Sequence, residues 1–198
     1  MANYIWLPVY TEEMLNIAIQ WNNGLRDKGK PECKLLYTPI EKGILKWVHR
    51  NRTGGCLRNV RPEDKLYILA HGSGVANGRR IGATRTKDGL MKGYTPEELV
   101  NVIIKENLTR RICEINLYCC GSGLGNESSY AARLKKSLLA KGFTTVIVSG
   151  YLGDLVTSYV NRYKTVSGGS FTHDTHKGVT VGDIVKYTIP ASQKKVKF

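Results

Sequence analysis

The chain has 198 residues, 41% hydrophobic and 23% charged, an ordinary globular balance that suits one domain with a sizeable core. No apolar run reaches the ~18 residues of a membrane span. The start "MANYIWLPVY" lacks the basic residues and long apolar core of a signal peptide, so a cytosolic, reducing setting is expected. Lys and Arg number 30 against 16 Asp and Glu, and the resulting net charge of +14 favours polyanions: nucleic acid, phosphorylated small molecules or an anionic membrane surface. The basic residues are spread rather than blocked, a pattern that equally suits a solvated surface.

In chain order, "YIWLPVY" (4–10) reads as a first strand. "TEEMLNIAIQWNNGL" follows as a helix, with Thr11 as N-cap, acidic residues in the first turn, and Met14, Ile17, Ala18 and Trp21 at helical spacing. "CKLLYTP" (33–39) is a second short strand, and "KGILKWVHRNRTGG" (42–55) fits either a short helix or an extended piece. "KLYILAH" (65–71) is the clearest strand, and 72–89 is glycine-rich with hairpin-like Asn77-Gly78 and Asp88-Gly89 steps. "TPEELVNVIIKENL" (95–108) predicts a helix capped by Thr95, with Pro96 at its first position and Glu98 completing a capping box. "EINLYCC" (114–120) is a strand, 126–142 a helix ending at Gly142, and "TTVIVSG" (144–150) another strand. Strands thus alternate with helices, and the central ones are continuous apolar runs. That predicts a mostly parallel sheet covered on both faces, an α/β three-layer sandwich. The tail from residue 151 has short Tyr- and Val-rich pieces broken by "SGGS" and "HKG", which suggests antiparallel hairpins or a flap. One domain over 1–198 is expected, its core at about 60–155.

Five cysteines, Cys33, Cys56, Cys113, Cys119 and Cys120, are an odd count with no CxxC, so reduced thiols are expected rather than a disulfide framework or a zinc ribbon. Two strands end in a reactive side chain followed by glycine: "LYILAHGSG" (66–74) at His71, and "INLYCCGSG" (115–123) at Cys120. Ligands of open parallel sheets bind outside the carboxyl ends of the strands. If the two strands are neighbours, His71 and Cys120 face one crevice. A thiolate nucleophile with an imidazole to move the proton can cleave an acyl bond, and backbone amides after each strand can hold the oxyanion. Taken singly, Cys120 reads as a small core residue and His71 as a loop histidine.

These two segments resemble the signatures of the caspase-like, clan CD cysteine peptidases, which include caspases, gingipains, clostripain, separases and the self-cleaving cysteine protease domains of large bacterial toxins. Cys120 follows His71 by 49 residues, close to the caspase gap. The resemblance covers about 60–155, and the "TPEEL" helix makes the toxin domains the closest match. It implies a caspase-like fold and a cysteine endopeptidase, with Cys120 as nucleophile and His71 as its acid–base partner. Gly72 and Cys120 would supply oxyanion donors, and no third catalytic residue is required. Cys119 falls where the toxin domains often have glycine, and the adjacent pair leaves both thiols in view. "VSGYLGD" (148–154) would line the substrate through Ser149, Gly150, Tyr151 and Asp154, the last either favouring a basic P1 residue or serving as a turn residue. The caspase surroundings of the nucleophile are absent, so aspartate specificity is not implied.

The toxin domains are switched on by inositol hexakisphosphate at a basic surface beside a flap. The resemblance therefore suggests a polyanion pocket drawn from Arg79, Arg80, Arg85, Arg162, Lys164, Lys186, Lys194 and Lys195, and an effector or toxin acting in a host cytosol. The expected partners are a protein or peptide substrate and an anionic activator. No cofactor is required for the chemistry. "THDTH" (172–176) sets His173 and His176 three apart, but its Ser, Gly and Thr surroundings read as a loop, so no metal is expected. "GSGLG" (121–125) lacks the P-loop Lys-Ser/Thr and reads as the turn after Cys120. The competing reading from another class is a catalytically silent caspase-like module that binds a polyanion or nucleic acid through its basic surface.

Overall fold

The computed structural model describes residues 1–37, 55–72, 80–85, 91–158, 163–167 and 189–198. The ambiguous 42–55 stretch, except Gly55, lies outside them, as do both hairpin-like Asn-Gly and Asp-Gly steps and the "THDTH" segment.

The first strand, β1 (Asn3–Leu7), is buried along four of its five residues. It stops before Pro8, whose missing N–H suits a strand end. Helix α1 (Glu12–Arg26) starts where expected: Thr11 is extended at φ −143° and its hydroxyl accepts the Met14 N–H at 3.2 Å. Strands β2 (Lys34–Tyr37) and β3 (Lys65–Leu69) flank β1, both parallel to it. A hairpin of β4 (Ile81–Arg85) and β5 (Met91–Tyr94) leads into α2 (Pro96–Lys105). The capping box is present: Thr95 Oγ1 accepts from Glu98 N–H, and the Glu98 carboxylate accepts from Thr95 N–H. Strand β6 (Glu114–Tyr118) then pairs parallel with β3 over all five residues.

The next helix differs from the expected 126–142. Gly125 (φ 100°) and Asn126 (φ 48°) are left-handed, so a 3-10 turn spans Asn126–Ser128 and α3 begins only at Tyr130–Leu139. Ser129 is the true N-cap, its hydroxyl accepting the Ala132 N–H at 3.1 Å. Strand β7 (Ile147–Tyr151) pairs parallel with β6. Beyond it, β8 (Asp154–Ser158) and β9 (Tyr163–Ser167) form an antiparallel hairpin joined by the short β10 (Ile189–Pro190). The tail is not all hairpin and flap: β11 (Lys195–Lys197) returns to the main sheet, antiparallel to β7.

Among the described residues the main sheet has six strands in the order β11-β7-β6-β3-β1-β2, all parallel except β11. Strand alternation divides two cores. Trp6, Leu66, Ile68, Ile115, Leu117 and Val148 face α2 and α3. Ile5, Leu7, Leu69, Tyr118 and Tyr151 face α1. Helices therefore cover both faces, as the apolar runs imply. On the α1 side, Trp21 packs 5.1 Å from the Tyr67 ring and 4.5 Å from Tyr118, which in turn meets Tyr151 at 5.5 Å. Burial pushes the Tyr67 hydroxyl up to about 12 and raises that of Tyr151 too, so both stay neutral at physiological pH. No helix among the described residues is long and apolar enough to cross a membrane.

Candidate active site

The strand order reverses between β1 and β3: the chain leaves β1 toward β2 on one side, whereas β3, β6 and β7 lie on the other. Such a reversal opens a crevice at the carboxyl ends of the strands. The segments that leave β1, β3 and β6 carry Glu13, His71 and Cys120.

Leu69 and Tyr118 are the last paired residues of β3 and β6. Beyond them the chain after β6 turns, Cys119 N–H donating to Leu117 O at 2.9 Å, and the two strand ends stay side by side. The contact at Gly72 agrees: a Cβ built there would overlap the Cys120 carbonyl oxygen and come within 2.9 Å of its backbone N. Glycine is thus required where the chain after His71 crosses the Cys120 backbone. His71 itself is held by a two-bond bridge to Gly82 on β4, His71 N–H to Gly82 O at 2.6 Å and Gly82 N–H to His71 O at 3.0 Å.

The adjacent thiols occupy different surroundings. Cys119 is 1% exposed, part of the core beneath α2 and α3, with its Sγ 3.7 Å from the Ile68 carbonyl. Burial pushes that thiol far above the ordinary cysteine range, and the neighbouring Cys120 adds to the effect. Cys120 is only half-buried. Its Sγ receives the Leu155 N–H at 3.3 Å and lies 3.8 Å from the Leu155 carbonyl. Both backbone groups of Leu155 thus face the sulfur, the N–H as donor and the carbonyl as acceptor.

The turn after Cys120 is fixed by hydrogen bonds to the chain beyond β7. Gly121 (φ 61°) donates to Gly153 O at 2.8 Å and Gly123 to Tyr151 O at 2.9 Å. Ser122, buried, donates through Oγ to Leu117 O at 3.0 Å and accepts from Tyr151 N–H at 3.1 Å. The "GSGLG" stretch is therefore a clamp between two strand ends.

The substrate-lining set needs correction. Ser149 is fully buried, and Tyr151 packs in the aromatic layer under α1. Gly150 is pressed against the Cys120 turn, where an added Cβ would meet Gly123 N at 2.7 Å and Ala131 Cβ at 2.9 Å. The β7 edge is itself occupied, Tyr151, Gly150 and Ser149 pairing with Lys195, Val196 and Lys197. Of the four, Asp154 alone starts a strand next to the thiol, and its side chain lies outside the described residues.

Of the basic set, Arg80 is engaged by this chain's own groups. It makes a fork of two 3.0 Å hydrogen bonds with the Glu98 carboxylate and donates to Gly93 O at 2.6 Å. Lys195 is also engaged, pairing with Glu114 at 3.1 Å, as Lys65 does at 3.2 Å. Lys194 is half-buried at the end of a 3-10 turn, its carbonyl accepting from Leu152 N–H at 2.9 Å. Arg79, Arg162 and Lys186, and the side chains of Arg85 and Lys164, lie outside the described residues.

Sequence reasoning missed Glu13. Its carboxylate Oε1 stands 3.1 Å from His71 Nε2. The acidic first turn of α1 was legible, but as a complement to the helix dipole. The signal that could have found Glu13 is its place directly after β1, at the reversal of the sheet. No protein-family model and no curated protein sequence matches the chain.

Proposed function

We propose that the chain is a cysteine endopeptidase of caspase-like architecture, with Cys120 as nucleophile and His71 as general acid–base. The observation that carries the reading is the packing of Gly72 onto the Cys120 backbone, which brings the His-Gly and Cys-Gly strand ends into one crevice. The half-exposure of Cys120 beside a fully buried Cys119 favours Cys120 as the reacting thiol.

In this reading His71 takes the thiol proton, and Sγ bonds to the substrate carbonyl carbon. The tetrahedral oxyanion is held by amides at Gly72 and Cys120. The C–N bond breaks, and the amine leaves with the proton His71 carried. Water then attacks the thioester, its proton passing through His71, and release of the acid restores the thiol. In place of the β7 residues, β8 supplies the lining. It begins beside Cys120 and is the outer strand of its three-stranded sheet among the described residues, which suits an extended peptide. A reducing cytosol as the place of action belongs to the same proposal and rests on the odd count of five cysteines with no CxxC. An inositol polyphosphate activator belongs to the same proposal and rests on the net charge of +14.

The test is an acyloxymethyl ketone peptide probe, read by mass spectrometry. An adduct on Cys120 that disappears in His71→Ala supports the reading. A folded protein that binds polyanion and gives no adduct is the silent module instead.

A further inference from the structure

We propose that Glu13 is a positioning residue for His71: its carboxylate holds the imidazole in the tautomer that carries its proton on Nε2 and leaves Nδ1 as the base. The inference rests on the peptidase reading for its consequence at Cys120, but the pairing stands on geometry alone. Glu13 sits in the first turn of α1 and His71 just after β3, 58 positions apart, and the two meet at 3.1 Å across the crevice where the strand order reverses.

Both partners are held from behind. Thr11 caps α1, and the packing of Trp21 on Tyr67 and Tyr118 fixes that helix over β3 and β6. The two-bond bridge to Gly82 fixes the backbone of His71. With the backbone fixed, the ring's orientation and tautomer are set by what its nitrogens meet.

A carboxylate accepts and does not donate, so a neutral imidazole facing it must present N–H at Nε2. The Nδ1 lone pair is then the ring's remaining basic site, available for the thiol proton. When Nδ1 takes that proton, the imidazolium forms beside a negative charge. The pair is solvent-exposed, 39% for His71 and 62% for Glu13, so its contribution to fold stability is small. Its effect belongs to the ring and to the step the ring performs.

Three proteins are compared: wild type, Glu13→Ala and Glu13→Gln. The glutamine keeps size and reach but offers an amide donor as readily as an acceptor, so it removes the tautomer preference without removing a packing contact. The first readout is the ring 15N spectrum of His71, recorded where the ring is neutral and assigned with His71→Asn. The second is the rate of Cys120 alkylation by iodoacetamide, resolved by peptide mass spectrometry. Expected are an Nε2-protonated ring in wild type, mixed tautomers in both variants, an unchanged melting temperature, and an alkylation rate lower by about threefold to fivefold, the range an exposed pair allows. A wild-type tautomer in both variants overturns the proposal. So does a shifted tautomer with an unchanged Cys120 rate. If the tautomer and the rate shift as expected while the peptide probe leaves Cys120 unmodified, the pairing stands and the peptidase reading fails.

Discussion

Cys119 and Cys120 are neighbours in sequence, yet strand alternation sends one side chain into the core and leaves the other at the crevice. Cys120→Ala should abolish peptide cleavage with the fold intact, and Cys119→Ala should keep substantial activity while losing some packing; a peptide substrate screen with thermal melts checks both. The reverse pattern would move the nucleophile to Cys119. His71→Ala should lose at least ~10²-fold, the scale of a general acid–base group. Gly72→Ala should cost both activity and stability, because its Cβ has no room beside the Cys120 carbonyl. The His-Gly and Cys-Gly ends were legible because each strand and its glycine are local signals. The division of the cysteine pair follows from the parity of β6, where Ile115 and Leu117 share the core with Cys119. Glu13 was not legible as a partner of His71, since their meeting depends on which strands lie side by side.

Elements behaved in the same way. Thr11, Thr95, Pro96 and Glu98 act within one helical turn, so both of their helices begin where the sequence places them. Asn126 in a left-handed conformation delays α3, a choice made by the clamp between the Cys120 turn and β7 rather than by propensity. Strand β11 was missed because its three residues are mostly lysine, and only pairing with β7 makes them a strand. That strand carries Lys195 to Glu114. Partial burial alone would raise the Glu114 carboxyl; hydrogen bonds from Lys195, Asn116 and Lys65 outweigh it and hold the carboxyl below its ordinary value of 4.5. A depressed carboxylate stabilises the fold above its unfolded value and loses that contribution as pH falls through the folded one. Acid unfolding of Glu114→Gln should therefore show a shallower loss of stability below about pH 4.5 than wild type. Trp21→Ala, which empties the aromatic layer under α1, should cost about 3–5 kcal/mol in urea unfolding.

At the scale of the whole molecule, a net charge of +14 on 198 residues repels itself, and a bound polyanion would relieve that repulsion. If inositol hexakisphosphate has a site on the folded chain, 100 times its dissociation constant adds about 2.7 kcal/mol. Melting curves across a titration at moderate salt check this, with inorganic sulfate at equal ionic strength as the control for screening. The ion pairs decide which variant should probe the site. Lys195→Ala would strip Glu114 of one of its partners and destabilise the fold with no anion present, so a loss of binding there would be ambiguous. Lys194, adjacent, half-buried and outside the Lys195–Glu114 pairing, is the cleaner choice. The coupling to chemistry runs through Leu155, whose amide reaches the Cys120 sulfur and whose strand β8 pairs with β9, the strand that carries Lys164. An anion bound to this hairpin should change the Cys120 alkylation rate, and if a covalent adduct on Cys120 changes anion affinity, the anion favours or opposes the adducted state by the same free energy. Equal alkylation with and without the anion, in wild type and in Lys194→Ala, would leave a constitutive enzyme whose charge serves solubility or substrate choice.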